Sequence, residues 1–410
     1  MVHRLEDLAA TSPSAVWKYI FAGLCASLVS IGLARFAYTP LLPSLIHAQW
    51  FAAADVVYLG AANLAGYLFG ALLGRPLAAR AGNVLILRVM MTLVTLSFFA
   101  CAFPLSVAWF FVWRLASGIA GGAIMVLVAA TVLPHVPPQR RGLAGGAIFL
   151  GIGLGIAVSG TIVPLLLNFG LRDTWLGLGI FSSVLSLASW AAWPSQSVAA
   201  PATQAAPLEA ERAARGESSA TILYIEYALI AVGFVPTMVF LVDFVARGLG
   251  AGAHLGALMW VWYGVGAIFG PPVYGLLGDR IGGRPSLRVL LLVQTCAVAG
   301  LASTGNHLVL GALAVVIGSF PAGIVPLMLT RVHESIPGDH AKQHQVWSRA
   351  TVAFATFQAL SGYAYSAIFN GSGGDHRLLF LIGAGALATS LLFDLIVPLL
   401  GAPRRSAIRT

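Results

Sequence analysis

The chain has 410 residues, 59% of them hydrophobic and 9% charged, with a mean hydropathy of +0.88; soluble domains carry about 25% charged residues. This balance excludes a large soluble core and describes a chain that lies mostly in lipid. The net charge of +9 does not mark a nucleic-acid-binding protein, because the basic residues are spread over short connectors and not gathered in one domain.

Met1 to Val16 is polar and has no signal-peptide pattern, so the first apolar run is expected to stay as a membrane helix. A crossing needs about 20 mostly apolar residues. On that measure the chain divides into twelve spans. Six lie near 17–45, 55–78, 84–103, 107–134, 142–168 and 174–193, and six near 221–245, 254–278, 286–304, 307–332, 346–369 and 377–400. Between them, 194–219 is rich in Ala, Pro, Ser and Glu without apolar periodicity, and reads as a cytoplasmic linker. The expected organisation is an N-terminal six-helix half over 1–193, that linker, and a C-terminal six-helix half over 220–410.

Lys and Arg set the expected orientation. With the N-terminus inside, the inner connectors and tails hold eighteen of them and the outer connectors hold only Arg172, Arg247 and Arg377. Both termini are therefore expected in the cytoplasm, in a bacterial-type inner membrane. Cys25, Cys101 and Cys296 each fall in an apolar span with no partner nearby, so neither a disulfide framework nor a metal site is expected.

The two halves repeat each other at an offset of 200. Gly66, Phe69 and Gly70 return as Gly266, Phe269 and Gly270; Leu77, Arg80 and Gly82 as Leu277, Arg280 and Gly282; Leu87, Arg88 and Val89 as Leu287, Arg288 and Val289; Gly118 as Gly318. Internal repeats in an apolar chain are a mark of many transporters. Glycines at four-residue spacing, such as Gly66, Gly70 and Gly74, let helices approach closely in lipid.

Twelve spans in two related halves resemble the major facilitator superfamily, and the motifs sharpen the likeness. Gly275, Asp279, Arg280, Gly282 and Arg284 match that family's G-x-x-x-D-R-x-G-x-R loop. The first-half copy keeps Arg80 and Gly82 but has Ala79 for the acid and Arg75 for the first glycine. Arg114, Gly118 and Gly121 are similar to the family's R-x-x-x-G-x-x-G pattern on the fourth helix, often linked to proton coupling, and span five is similar to the glycine-rich helix of its antiporters, without the usual Gly-Pro pair. The stretch Gly32-Leu-Ala-Arg35-Phe36-Ala-Tyr38-Thr39-Pro40 looks like the YbfB/YjiJ-type branch. The resemblance implies an all-α fold of twelve transmembrane helices, a cavity lined by spans one, four, seven and ten, and loops at Arg80–Gly82 and Gly275–Arg284 that help close the inner side.

Charges inside the spans are costly and so mark function. Arg35 stands roughly 25 Å above Lys18 and Arg114 roughly 10 Å below the outer edge, at 1.5 Å per residue, which places both at similar depth. With Tyr38 they form a cluster suited to a carboxylate, which guanidinium binds through paired hydrogen bonds; packing against backbone carbonyls and snorkelling are the competing readings. Glu226 lies a turn or so into span seven. An acid there is suited to carry a proton, because desolvation disfavours its charge; pairing with an inner-loop arginine is the alternative. Asp243 is expected to be solvated near the outer end, and Asp394 to take a structural partner at the inner rim. Trp260 and Tyr263 are candidates for stacking on a substrate. His333, His340 and His344 lack metal-ligand spacing and are expected to be solvated.

The sequence thus reads as a secondary carrier of a small organic solute, with protons as the coupling ion, Glu226 and Arg114 as coupling residues, and a lean to an anionic substrate. Export of drugs in exchange for protons is the second carrier reading. No nucleotide-binding loop, HExxH or G-x-S-x-G arrangement is present, so no enzyme activity and no cofactor are expected. A monomer in the bilayer is expected.

Overall fold

The computed structural model describes residues 13–137, 140–194, 210–336 and 340–400. The first span is not one helix. It consists of α1 (Pro13–Ser27), a π-helical turn (Leu28–Leu33), non-helical turns over 34–37, and α2 (Tyr38–His47). The break has a local cause. Pro40 offers no N–H, and its ring crowds the carbonyl four residues back, that of Phe36. The chain therefore loosens just before it, at Arg35.

The other eleven spans follow in order: α3 (Ala53–Ala81), α4 (Asn83–Cys101), α5 (Val107–Val132), α6 (Arg141–Leu167), α7 (Leu171–Ser189), α8 (Ala210–Asp243), α9 (Gly252–Ile281), α10 (Gly283–Ser303), α11 (His307–Ser335), α12 (His340–Gly371) and α13 (His376–Leu400). Among the described residues, ten helical stretches are long and apolar enough to cross a bilayer on composition alone. The remaining two are α7, with Arg172 and Asp173 in its first turn, and α12, whose first three turns carry Lys342 and Arg349. The stretch read as a linker, 194–219, overlaps the start of α8. Helix α8 already begins at Ala210, and residues 195–209 lie outside the described residues. The face that carries the α7–α8 connection is called the linker face below, and the opposite one the far face.

The repeated glycines are where helices cross. A Cβ at Gly66 would stand 2.1 Å from the Leu115 carbonyl oxygen on α5, and one at Gly118 would stand 2.1 Å from that of Asn63 on α3. The second half repeats this at Gly266 against Val315 of α11 and at Gly318 against Tyr263 of α9, each at 2.0 Å. The same pair of helices thus packs backbone to backbone in both halves, the close approach that small residues permit in lipid. Across the halves, α6 meets α9 through Gly153, Gly160 and Gly264, and α12 meets α3 where Gly362 faces Leu64. Among the described residues, hydrogen bonds that join the halves between the midplane and the far face include Thr39 Oγ1 to the Met238 carbonyl (2.8 Å), Trp260 Nε1 to Ser159 Oγ (3.1 Å), Arg35 Nη1 to Gln358 Oε1 (3.1 Å) and a longer one from Ser366 Oγ to the Val57 carbonyl (3.5 Å).

Candidate functional site

Arg35, Tyr38 and Arg114 converge on one small cavity, which Thr39, Gly60, Leu64, Met238 and Val239 complete. Arg114 is buried. Its Nη1 donates to the Ala34 carbonyl at 2.7 Å and its Nε reaches the Leu59 carbonyl at 3.5 Å, while its guanidinium lies 4.3 Å from the centre of the Tyr38 ring. The break in span one supplies the first of these acceptors, since Ala34 lies where the helix loosens. Tyr38 is held in turn by its hydroxyl, which donates to the Val56 carbonyl at 2.6 Å. Arg35 sits over the Tyr67 ring at 4.2 Å and donates to Gln358 on α12. Among the described residues, neither arginine has a carboxylate partner. Two guanidiniums held by rings, an amide and backbone carbonyls give a pocket of net positive charge in low dielectric. Such a pocket attracts an anion strongly.

The cavity has a volume of about 20 Å³, whereas ligand pockets usually span about 300–1,000 Å³. The halves must part for an organic solute to enter. Trp260 and Tyr263 are buried and stack on each other, with ring centres 4.7 Å apart, and Phe36, next to Arg35, packs on Trp260 at 6.0 Å. The two aromatic residues singled out in the sequence are thus linked to Arg35 through its chain neighbour Phe36 and do not line the cavity, whereas Trp262 is 43% exposed.

A second cluster lies toward the linker face of the second half. Glu226 and Asp394 are both fully buried. Arg331 binds both, with Nη2 3.1 Å from Glu226 Oε2 and Nη1 3.4 Å from Asp394 Oδ1. Asp394 also accepts from Arg284 Nε at 2.9 Å and from Arg288 Nε. Glu226 is thus paired with a linker-face arginine and distant from Arg114. Sequence reasoning placed Arg331 among the connectors and missed it as the centre of this network. Its position one helical turn inside the end of α11 was the available signal.

The two repeated loops turn on Gly82 and Gly282, at φ values of +84° and +87° that side chains with a Cβ rarely adopt. In the second loop Gly283 N donates to Glu334 Oε1 at 2.7 Å, and Arg284 reaches Asp394 as above. Asp279, Arg280 and Arg80 are exposed, and Gly275 is half-buried. In the first half, Arg88 is held by the Trp190 carbonyl at 2.7 Å and by the face of its ring. The side chains of His333, His340 and His344 lie outside the described residues.

One expectation is corrected. Asp243 is not solvated but fully buried near the far face, where it accepts from Arg247 and from His376 Nε2 at 2.7 Å. The His376 ring sits among Phe240, Phe244 and Phe369. Replacing His376 with leucine should lower the melting temperature of the purified protein, because a buried carboxylate loses one of its two partners at a cost of about 1–3 kcal/mol. An unchanged melting temperature would show that Arg247 alone satisfies Asp243.

Residues 27–395 match the family described as the uncharacterised MFS-type transporter YbfB. The chain belongs to this family. Its relatives include a gallate transporter of Pseudomonas putida, 26% identical over 188 residues, which are 45% of this chain and 42% of that protein. The 4-hydroxybenzoate transporter PcaK of Acinetobacter baylyi is 27% identical over 176 residues, 42% of this chain and 38% of that one. The chain thus matches less than half the length of these relatives. Two solved structures share the fold: a D-xylose-proton symporter (TM-score 0.72, 15% identity, covering 92% of this chain and 97% of that one) and a mutant form of the nucleoside transporter NupG (TM-score 0.74, 14% identity, 92% and 99%). The likeness confirms twelve transmembrane helices in two six-helix halves. The family is one of transporters and not of enzymes.

Proposed function

We propose that this member of the family carries a small aromatic carboxylic acid across the membrane by alternating access, driven by protons. The observation that carries this reading is the pair Arg35 and Arg114 at one cavity between the midplane and the far face, with no acid among the described residues to neutralise them. A carboxylate completes that pocket, and the stacked Trp260 and Tyr263, linked to it through Phe36, offer an apolar, aromatic surface for a ring once the halves part. The names of the gallate and 4-hydroxybenzoate relatives support the same substrate class.

In this reading Glu226 carries the coupling proton. It is fully buried, Arg331 engages one of its oxygens, the other receives no donor among the described residues, and the Asp394 carboxyl lies within hydrogen-bond reach to share a proton with it. Taking up a proton there loosens the hold of Arg331 on α8 and shifts that guanidinium toward Asp394. The name of the D-xylose-proton symporter is consistent with a proton-driven cycle on this fold. In this reading the linker and both termini face the cytoplasm of a bacterial-type inner membrane, the loops at Arg80–Gly82 and Gly275–Arg284 close that side, and the monomer is the working unit.

The test is uptake of radiolabelled 4-hydroxybenzoate by the purified protein in liposomes with an imposed pH gradient. Wild-type protein is expected to accumulate the acid, and Arg35→Gln or Arg114→Gln should reduce the initial rate at least about tenfold, the loss of one charge-assisted hydrogen bond or more. Absence of uptake by wild-type protein would sink the substrate class. Uptake indifferent to the gradient would sink the coupling.

A further inference from the structure

Arg35 and Gln358 hold an arrangement that packing alone does not explain. The guanidinium donates from Nη1 to the amide oxygen of Gln358 at 3.1 Å. A guanidinium has only donors, so the oxygen of the amide meets it and the Nε2 group is left to donate elsewhere. That Nε2 is buried and has no acceptor among the described residues, and the Nη2 of Arg35 is likewise buried without one. Gln358 is itself fully buried. Each buried donor without a partner costs about 1–3 kcal/mol, and more when charged. Two of them on side chains joined by a hydrogen bond make a two-donor group, and a carboxylate supplies two acceptor oxygens.

The location fits such a ligand. Arg35 lines the cavity, to which Met238 and Val239 of the second half also contribute, and Gln358 of α12 in that half reaches Arg35 itself. Phe36, the chain neighbour of Arg35, packs on Trp260, which stacks on Tyr263. Among the described residues, no acid from either half pairs with Arg35.

We propose that Gln358 is a substrate-contacting residue: its Nε2 and the Nη2 of Arg35 together take the carboxylate of the transported acid and so bridge the two halves through the ligand. This rests on the reading of the protein as an aromatic-acid carrier. The carboxylate then contributes to closure of the halves, because it completes a contact to which each half gives one donor. Esters and amides of the same acid carry no negative charge and lack the pair of equivalent acceptor oxygens, so they bind without this bridge.

The experiment is titration of the purified full-length protein with benzoate, 4-hydroxybenzoate and methyl 4-hydroxybenzoate, read by intrinsic tryptophan fluorescence. Gln358→Met keeps the length of the side chain and removes both polar atoms. Gln358→Glu keeps the acceptor for Arg35 and sets a negative charge against the ligand. The expected result is at least about tenfold weaker binding of both acids by Gln358→Met, loss of acid binding by Gln358→Glu, and binding of the ester within about twofold of wild type in both. Elution profile and melting temperature verify that each variant is folded, and if Gln358→Met does not fold, Gln358→Glu decides alone. Folded variants that bind the acids as wild type does would overturn the role of Gln358 and leave the carrier reading standing. Wild-type protein that binds none of the acids would overturn both.

Discussion

Replacing Arg331 with methionine is expected to lower the stability of the protein by about 3–5 kcal/mol, the range found when one partner of a buried ion pair is removed. The reason lies in what remains. Glu226 loses the guanidinium 3.1 Å away, and Asp394 loses one of three arginines. Both carboxylates are fully buried and belong to different helices, α8 and α13. Arg284 and Arg288 still neutralise Asp394, so the damage falls on Glu226. The double variant Arg331→Met with Glu226→Gln should therefore recover much of the loss, because a neutral amide takes the place of the stranded charge. Thermal unfolding of the four proteins of this cycle measures the coupling. Equal melting temperatures for wild type and Arg331→Met would show that the network contributes nothing to stability. No recovery in the double variant would show that Arg331 acts through packing and not through Glu226.

Replacing Gly266 with valine should leave no folded protein in the membrane. The first atom of any side chain there would meet the Val315 carbonyl oxygen at 2.0 Å, and the amide nitrogen of Ser319 stands 2.8 Å away. Both obstacles are backbone, which cannot turn aside as a flexible side chain does. Relief requires α9 and α11 to separate, and the pairs at Gly270 and Gly318 along the same crossing would then separate too. Gly385 on α13 is the control, since a Cβ added there meets nothing within 4 Å. Yield and monodispersity after detergent extraction measure both. Gly385→Ala is expected to match wild type. Gly266→Val protein of normal yield and elution would show that the close crossing is dispensable.

Much of this architecture can be read in the chain itself. Hydropathy locates the spans, since each must offer an apolar surface to lipid along its whole length. The offset of 200 marks the crossings, because only residues without a side chain allow backbones to touch, and the same crossing is built twice. Counting rise per residue brings Arg35 and Arg114 to one level, and in the structure both line one cavity.

Other features depend on which way a side chain faces around its helix and on which helix lies opposite. Span one reads as a continuous apolar run, yet Pro40 opens it at 34–37, and the freed Ala34 carbonyl becomes the anchor for Arg114. Its counterpart α8 stays helical past Pro236, so the matched halves differ at the point where the first arginine sits. Hydropathy places Asp243 near water, but His376, 133 residues away, completes a buried pair with it.

Spans, repeat and close glycine crossings were thus determined by the sequence alone, since each follows from local pattern and the demand that lipid makes on every residue. Partners were decided by tertiary structure alone: Arg331 between Glu226 and Asp394, His376 on Asp243, and Gln358 on Arg35. A charge in a span must find a partner, but one-dimensional pattern does not contain the helix rotation that selects it. Contacts between residues 63 to 323 positions apart are set only when the helices pack.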